Sequence, residues 1–197
     1  MDLWFLDFFM PKIVDHEKRR EEILNACFTS FAQRGYAAVT MRDLARVSGV
    51  STGSLYHYFS TKEDIFQQMF VQLNQQDTMR ATEQLVTLPV AERTEALMQF
   101  VRENEEYFQN VLMMALEYVR HDEHQESSEF VHELVHNYQI ALEGMLEIPL
   151  PGMGSVLFSL LMGLVAHRKL SPEAVNWELH LRFLQTMMES FQRSSAA

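Results

Sequence analysis

The sequence predicts an all-α protein with an N-terminal three-helix, helix-turn-helix head and a larger C-terminal helical body. Residues 40–62 form the pattern of two short helices joined by a glycine turn. Beyond them, apolar residues recur at the spacing of helices. The 197 residues include only five prolines and seven glycines, which favours helices, and 47% are hydrophobic, which is enough for a sizeable core.

The first short helix begins after Thr40. The Thr40 hydroxyl can cap its first turn, and Asp43 adds negative charge at the positive end of the helix dipole. Arg42 and Arg46 are four residues apart, so they share one face. Two guanidinium groups on one face suit a phosphate backbone.

Turn and cap residues define the limits of the second short helix. Gly49 lies at the turn, where a residue without Cβ can adopt left-handed backbone angles, and Ser51 can cap the helix. After this helix, Ser60 and Glu63 fit a capping box for the next one. Lys62 lies in the first turn of that following helix, where the helix dipole disfavours a cation unless a phosphate is near.

The second short helix has two different sides. Leu55 and Phe59 lie one above the other, whereas Gly53, Tyr56 and His57 fall on roughly the opposite side. We expect the first side to pack in the head and the second to approach DNA, because Gly53 allows close contact and the other two offer polar groups. An aromatic cluster that only completes a small core is the alternative.

A series of motifs extends from Ile23 to about Phe66. It comprises Ile23-Leu-x-Ala26, Phe31, Gly35-Tyr36, Thr40-x-Arg42-Asp43-Leu44-Ala45, Gly49-Val50-Ser51, Gly53-x-Leu55-Tyr56 and Phe59-x-x-Lys62. This series resembles the TetR family of helix-turn-helix transcriptional regulators. The resemblance implies an all-helical homodimer that has a DNA-binding head and a variable body holding a small effector.

The resemblance also implies roles for single residues. Thr40 and Lys62 correspond to positions that bind phosphates. The positions that approach the major groove correspond to Thr52, Gly53, Tyr56 and His57. His57 replaces the more usual Tyr or Trp, and Tyr58 stands where the family often has His, so the target sequence stays open. The predicted DNA-binding set is Thr40, Arg42, Arg46, Ser51, Thr52, Gly53, Tyr56, His57 and Lys62.

Charge is unevenly distributed along the chain. The net charge of −11 would by itself argue against a nucleic-acid partner. Up to Lys62, however, there are 8 Lys/Arg and 7 Asp/Glu, or +1, whereas the remainder has 8 and 20, or −12. The sequence therefore predicts a mildly basic head on an acidic body and salt-sensitive DNA binding.

The first residues and the cysteine content bear on the cellular compartment of the protein. Residues 1–9 are apolar but lack a basic start and are too short for a signal core, so we interpret them as an extension of uncertain role. The head is then 10–61 and the body 62–197. Cys27 is the only cysteine and is expected to be buried, with a redox-sensing thiol as the alternative. A reducing cytoplasm fits this content, and no cofactor is expected.

The body is predicted to hold an apolar effector. A connecting helix covers Lys62–Leu85, Pro89 starts another, and later helices cover 105–121 and 126–147. Their Phe, Met and Leu side chains suit a flexible apolar lining, although they could equally fill a core. The predicted pocket residues are Phe66, Met69, Phe70, Leu97, Phe100, Phe108, Met113, Glu117, Tyr118 and Tyr138. Glu117, with a tyrosine, would orient the polar end of the ligand.

A second hypothesis arises from residues 132–136, which read His-Glu-Leu-Val-His and match the H-E-x-x-H zinc pattern. The longer zinc-protease pattern fails, because Gln139 and Leu142 stand where Gly and His are required. A catalytic zinc, a regulatory metal bound with help from His121 or His124, and a solvated polar face are the three alternatives. The pattern is short, and we predict neither an enzyme nor a metal site.

The last two predicted helices carry apolar residues on more than one side. Residues 156–166 are apolar nearly all round but too short for a membrane span of about 20 residues. The final helix has a heptad-like seam, with Phe183 and Met187 on a second side. We expect one face to pack on the body and the other on a second copy, a monomer being the alternative. The predicted dimer residues are Ser155, Phe158, Ser159, Met162, Gly163, Trp177, Leu181, Leu184 and Met188.

With the resemblance, these features predict a cytoplasmic repressor that binds a pseudo-palindromic operator as a homodimer. A small effector would release it by favouring a different spacing of the two heads, with the connecting helix as the coupling element.

Overall fold

The computed structural model describes residues 12–121, 126–148 and 150–195, with side chains for residues 16–121, 127–148 and 150–190. The predicted extension 1–9 and His124 lie outside the described residues. Within these ranges the regular structure is helical, as expected. The helices are α1 (Lys12–Arg34), α2 (Met41–Val47), α3 (Thr52–Tyr58), α4 (Lys62–Leu85), α5 (Val90–Glu103), α6 (Glu105–Arg120), α7 (Glu126–Met145), α8 (Met153–Leu170) and α9 (Trp177–Ser195), with a short 3₁₀ helix at Pro172–Ala174.

The chain divides into two compact units, a head that ends at Gln72 and a body that begins at Leu73. The sequence places this boundary earlier, at the start of α4. The difference arises because the first half of α4 packs in the head. Ile65 and Phe66 have no exposed surface there, and the Phe66 ring lies edge-on to Phe31, with 5.1 Å between centroids.

The head is held together by α1, which contacts the ends of both short helices. The Arg19 guanidinium donates to the carbonyl of Ser48 at the end of α2, at 3.2 Å. Arg20 donates to the carbonyl of Tyr58 at the end of α3, at 3.0 Å. Helix C-termini leave carbonyls unpaired and carry partial negative charge, so a cation is favoured at both places. Beneath them lies a core of fully or almost fully buried side chains, including Ile23, Cys27, Phe31, Leu44, Leu55 and Phe59.

The start of α4 differs from the prediction by one residue. The hydroxyl of Thr61 accepts from the Asp64 N–H at 3.0 Å, and the Asp64 carboxylate accepts from the Ser60 N–H at 2.8 Å. The predicted box paired Ser60 with Glu63. Because α4 begins at Lys62, the capping position is Thr61 and the acidic residue three positions on is Asp64.

The body core is formed by the second half of α4 and by α5 to α9. Its members include Leu85, Leu97, Phe100, Leu146, Leu161, Val165, Leu184 and Met188. The Arg93 side chain, 10% exposed, crosses this region. It donates to the carbonyl of Leu88 at 3.0 Å, to the carbonyl of Met145 at 3.0 Å and to the carboxylate of Glu147 at 2.9 Å. One guanidinium therefore joins the segment after α4 to the end of α7.

Helices α7 and α8 approach each other very closely at Gly154. A Cβ added there would lie 2.1 Å from the carbonyl oxygen of Gln139 on α7. Glu143, also on α7, accepts hydrogen bonds at 2.9 Å from the N–H groups of Gly152 and Gly154. A carboxylate at a helix N-terminus satisfies unpaired donors and complements the dipole, so Glu143 caps α8 from a neighbouring helix.

Helix α8 is longer than the apolar run seen in the sequence. Among the described residues it has the length and composition to cross a membrane. A core helix of a soluble protein passes the same test, so one such helix is weak support for a span. Leu157, Leu161, Leu164 and Val165 pack in the body core.

Candidate nucleic-acid interface

Helix α2 begins with the predicted cap. The Thr40 hydroxyl accepts from the Asp43 N–H at 3.2 Å, and the Asp43 carboxylate accepts from the Thr40 N–H at 3.1 Å. These reciprocal bonds form a capping box. Thr40 is exposed at the point where the resemblance implies a phosphate.

The turn and the start of α3 also follow the sequence. Gly49 has φ +66°, a left-handed angle that side chains disfavour. The Val50 N–H then donates to the carbonyl of Ala45 at 3.0 Å, which closes the turn. Ser51 caps α3, because its hydroxyl accepts from the Ser54 N–H at 3.0 Å. The backbone from 48 to 54 is therefore fixed by local bonds.

The two sides of α3 are arranged as predicted. Leu55 and Phe59 are buried, at 0% and 1% exposure. The residues on the other side, Thr52, Gly53, Tyr56 and His57, are all exposed, and the large side chain of Tyr56 is 53% exposed. We name this set the reading face.

Gly53 has space around it on the reading face. A Cβ there would meet only the Ser51 hydroxyl, at 3.9 Å, which is ordinary contact. Glycine inside a helix destabilises it by about 0.5–1 kcal/mol relative to alanine. Packing within the described part of the chain therefore does not require this glycine, whereas close approach of an external partner would.

Two exposed arginines lie on α2, the helix that precedes α3. Arg42 and Arg46 are exposed, and Arg46 donates to the Asp43 carboxylate at 2.8 Å. Arg34 bonds the same carboxylate at 3.0 Å. The hydrogen bonds from Arg34 and then from Thr40 lower the pKa of Asp43 well below its usual value, so this carboxylate stays ionised.

Lys62 is positioned by the loop that precedes α2. Its ammonium donates to the carbonyl of Tyr36 at 2.8 Å and lies 4.2 Å from the centroid of the Tyr36 ring. Burial, together with the charge of Glu63, raises the pKa of Tyr36 to about 12.

Cys27 lies in the core of the head, as expected. Its side chain is fully buried, with the sulfur 3.5 Å from the Ser48 hydroxyl. Burial raises the pKa of the Cys27 thiol to about 11, so the reactive thiolate is scarce at neutral pH. This environment favours packing over the redox-sensing alternative.

The predicted effector residues fall in both units. Phe66, Met69 and Phe70 are buried side chains of the head. In the body, Leu97, Phe100 and Tyr118 are buried, Phe108 is half-buried, and Met113 is 51% exposed. The Glu117 carboxylate lies 3.9 Å from the ring of His121, the residue that follows α6. The effector pocket stays a prediction.

A buried polar cluster in the body was missed at the sequence level. Asp77, 2% exposed on α4, accepts hydrogen bonds from the hydroxyls of Tyr107 at 2.8 Å and Tyr138 at 2.9 Å. Arg80 donates to its other oxygen at 2.6 Å. A signal was present: Leu73, Asp77, Ala81 and Leu85 follow at four-residue spacing, so Asp77 interrupts an apolar stripe.

Burial dominates the ionisation of this cluster. It raises the pKa of Asp77, while the bonds from Tyr107, Tyr138 and Arg80 oppose that shift. The pKa of Tyr138 is raised well above its usual value, by burial first and then by the Asp77 charge. Both tyrosines therefore remain hydrogen-bond donors at physiological pH.

Comparison with known proteins identifies the family to which the head is similar. Residues 23–69 match the family described as "Bacterial regulatory proteins, tetR family". The head is therefore a TetR-family domain. Its matched segment contains the caps, the turn and the reading face, so the motif series of the sequence and the geometry of the head agree.

Two sequence relatives, both transcriptional regulators by name, support the same assignment. The chain is 35% identical over 99 residues to the HTH-type transcriptional regulator PksA of Bacillus subtilis, which is 49% of this chain and 48% of PksA. It is 45% identical over 51 residues to the HTH-type transcriptional repressor KstR2 of Mycolicibacterium smegmatis, 26% of this chain and 25% of KstR2. The matches thus span half or less of these relatives.

Solved structures extend the likeness of fold to most of the chain. The regulator SCO7518 of Streptomyces coelicolor A3(2) aligns with a TM-score of 0.70 and 28% identity, over 87% of this chain and 98% of that one. FadR of Bacillus subtilis, solved in complex with stearoyl-CoA, aligns with a TM-score of 0.65 and 19% identity, over 85% and 96%. At that identity the second likeness concerns the fold alone.

The histidine pattern lies on the surface of α7. His132, Glu133 and His136 are exposed. No group of three or more His, Cys, Asp or Glu residues suited to a metal occurs among the described residues. Further along the chain, Glu143 accepts hydrogen bonds from the start of α8, and Glu147, beyond the end of α7, pairs with Arg93.

The exposed apolar surface of α8 and α9 differs in part from the predicted dimer residues. Ser155, Ser159 and Gly163 are exposed, and Phe158, Met162, Trp177 and Leu181 are half-buried. Leu184 and Met188 are only 5% exposed, because they fill the body core, so they offer no surface to a second copy. The outer side carries Val156, Leu160, Leu179 and Phe183 instead, each 39–60% exposed.

Proposed function

We propose that this TetR-family chain is a DNA-binding transcriptional regulator that occupies a pseudo-palindromic operator as a homodimer and acts as a repressor. The observation that carries the proposal is the reading face. Four side-chain positions of α3 point outward from a helix whose other side is buried, and the glycine among them has no packing role.

The surroundings of the reading face support a DNA partner. Arg42 and Arg46 supply positive charge beside it, and Thr40 and Lys62 lie at the starts of α2 and α4, where N–H groups favour anions. Phosphate contacts would fix the position of the head, and α3 would read base edges in the major groove. The acidic body would be repelled by DNA elsewhere.

A homodimer would present two such heads to successive major grooves, about 34 Å apart or a multiple of it. The exposed apolar side of α8 and α9 supports this assembly. Val156, Leu160 and Phe183 are large apolar side chains without cover in one chain, and the small residues Ser159 and Gly163 would let another helix approach closely. Burying such a surface favours association.

Release by a small, apolar effector completes the proposal. A ligand can shift the heads only if it binds two arrangements of the protein with different affinity. Helix α4, which begins in the head and ends in the body, is the proposed coupling element. FadR of Bacillus subtilis, which shares this fold, was solved in complex with stearoyl-CoA, and this supports an effector with a long apolar group. Such a regulator acts in the cytoplasm.

The test is selection of binding sites from a random duplex DNA pool by the purified full chain, followed by a salt titration on the enriched sequence. We expect an inverted repeat and an affinity that falls steeply with salt. Absence of enrichment at low salt would overturn the proposal. Tyr56→Phe, which keeps the ring, and Tyr56→Ala, which removes it, serve as matched variants.

A further inference from the structure

The cluster around Asp77 plays no part in the proposed reading of DNA, and burial of its carboxylate is energetically unfavourable. Removing a carboxylate from water is strongly unfavourable unless partners replace the water. Here the partners come from different helices: Tyr107 from α6 and Tyr138 from α7 reach the same oxygen of Asp77 on α4. Buried ionisable groups with specific partners are enriched at functional sites.

Arg80 differs from the two tyrosines as a partner. It lies three residues after Asp77 on the same helix, and its side chain is 47% exposed, whereas the Asp77 side chain is 2% exposed. The tyrosines hold the carboxylate from the interior, and the guanidinium reaches it from the solvent side. Because about half of the Arg80 side chain is already in solvent, Arg80 is the partner that an external cation can replace, and the replacement leaves the buried carboxylate with a counter-charge.

The Arg80 guanidinium occupies the position that a bound organic cation would take beside Asp77. It contacts the carboxylate and lies 5.8 Å from the centroid of the Tyr107 ring, within the range of cation–π attraction. Phe108 lies 5.2 Å from Tyr107, and Phe158 stacks on Tyr138 at 5.9 Å between centroids. A carboxylate bordered by aromatic rings binds amines and other organic cations well.

The charge of the body favours the same class of ligand. The segment after Lys62 has a net charge of −12, which raises the local concentration of cations and lowers that of anions. An anion would have to approach Arg80 while Asp77 lies behind it. A cation would find its counter-charge uncovered once Arg80 turns toward solvent.

The geometry points to Asp77 as the anchor of the effector, an organic cation with an aromatic or apolar body that displaces the Arg80 guanidinium and lies against Tyr107 and Tyr138. This inference deepens the proposed function and rests on it, since it names the class of effector.

The test uses three probes with one ring system and different charge: 1-naphthylmethylamine, 1-naphthalenemethanol and 1-naphthoate. Their dissociation constants are measured by calorimetry with the full chain. We expect the amine to bind at least tenfold more tightly than the alcohol, and the naphthoate most weakly. Equal binding of amine and alcohol, preference for the naphthoate, or no binding of the amine would overturn the inference.

Two variants separate an anchor from a structural carboxylate. In Asp77→Asn, the amine should lose its advantage over the alcohol, while the binding of the alcohol is kept. If that variant fails to fold, Arg80→Gln decides the question. Removal of the competing guanidinium should tighten amine binding severalfold, whereas an anion site built on Arg80 would lose naphthoate binding and leave the amine unchanged.

The selected operator DNA separates failure of this inference from failure of the proposed function. If the protein binds its operator and ignores the amine, the inference fails and the regulator stands. If it binds the amine and selects no DNA, the regulator fails. The amine should also lower operator affinity in the native chain but not in Asp77→Asn.

Discussion

Two glycines, one in the head and one in the body, lie in opposite surroundings. Gly53 lies on the exposed reading face, where a Cβ would meet nothing closer than 3.9 Å. Gly154 lies where α8 crosses α7, and a Cβ would come within 2.1 Å of a backbone oxygen. The comparison teaches that packing requires the glycine of the body but not the glycine of the head, which is compatible with the proposed contact between Gly53 and DNA.

The largest effect is expected for Gly154→Ala. The new Cβ would overlap the carbonyl of Gln139, which is backbone and cannot rotate away, so α7 and α8 must separate. We expect the free energy of unfolding to fall by about 3 kcal/mol, measured by urea denaturation. Gly144→Ala on α7, where a Cβ meets nothing within 4 Å, is the control and should not be destabilised. Equal effects of both variants would contradict the close-packing interpretation.

The next effect concerns Tyr56→Ala in the head. Loss of the exposed ring should reduce affinity for the selected operator about 100-fold, or about 2.7 kcal/mol, without lowering the melting temperature. Affinity is measured by fluorescence anisotropy at fixed salt, with analytical ultracentrifugation to follow assembly. A lower melting temperature or a change in assembly would mean that Tyr56 is structural.

Gly53→Ala should give changes of opposite sign in stability and binding. Alanine is the better helix former, so the free energy of unfolding should rise by about 0.5–1 kcal/mol. Affinity for the operator should fall about tenfold, since the Cβ blocks close approach to DNA. Both quantities come from the same denaturation and anisotropy experiments. Unchanged operator affinity would remove Gly53 from the interface.

The smallest effect is the pH dependence of the free energy of unfolding, which should have opposite signs for Asp77 and Asp43. Burial raises the pKa of Asp77 above its unfolded value of 3.8, so its contribution is full below pH 3.8 and is lost as pH rises through the folded value. Asp77→Asn should therefore gain stability relative to the native chain between pH 4 and 7, measured by denaturation across that range. A difference that does not vary with pH would contradict the raised pKa.

Asp43 in the head provides the opposite sign. Its pKa is lowered by Arg34 and Thr40, so its stabilising contribution is present above pH 3.8 and is lost as pH falls through the lower folded value. Asp43→Asn should be less stable than the native chain at pH 7, and the difference should shrink toward pH 3. Because the pair is exposed, high salt should reduce the difference.

The same contrast explains what the sequence could predict. The caps at Thr40 and Ser51, the turn at Gly49 and the outward side of α3 depend on residues a few positions apart, so local rules place them. The Asp77 cluster joins α4 to residues 30 and 61 positions away, and no local pattern specifies that meeting. Only the polar interruption of the apolar stripe indicated that Asp77 was unusual.

The sides of α9 show a second limit. Periodicity identified two apolar sides but could not tell which one faces the body. The structure places Leu184 and Met188 in the core, with Phe183 outside. A helix with two apolar stripes fits either way by pattern alone, and the packing volume available beside α5 and α8 decides the orientation. The all-α fold was predicted from periodicity, which does not depend on that choice.

Arg93 links two segments of the body through one side chain. Because a guanidinium stays charged throughout the physiological range, the joint between the carbonyls of Leu88 and Met145 cannot be loosened by a change in acidity. The connection between the segment after α4 and the end of α7 therefore persists across that range.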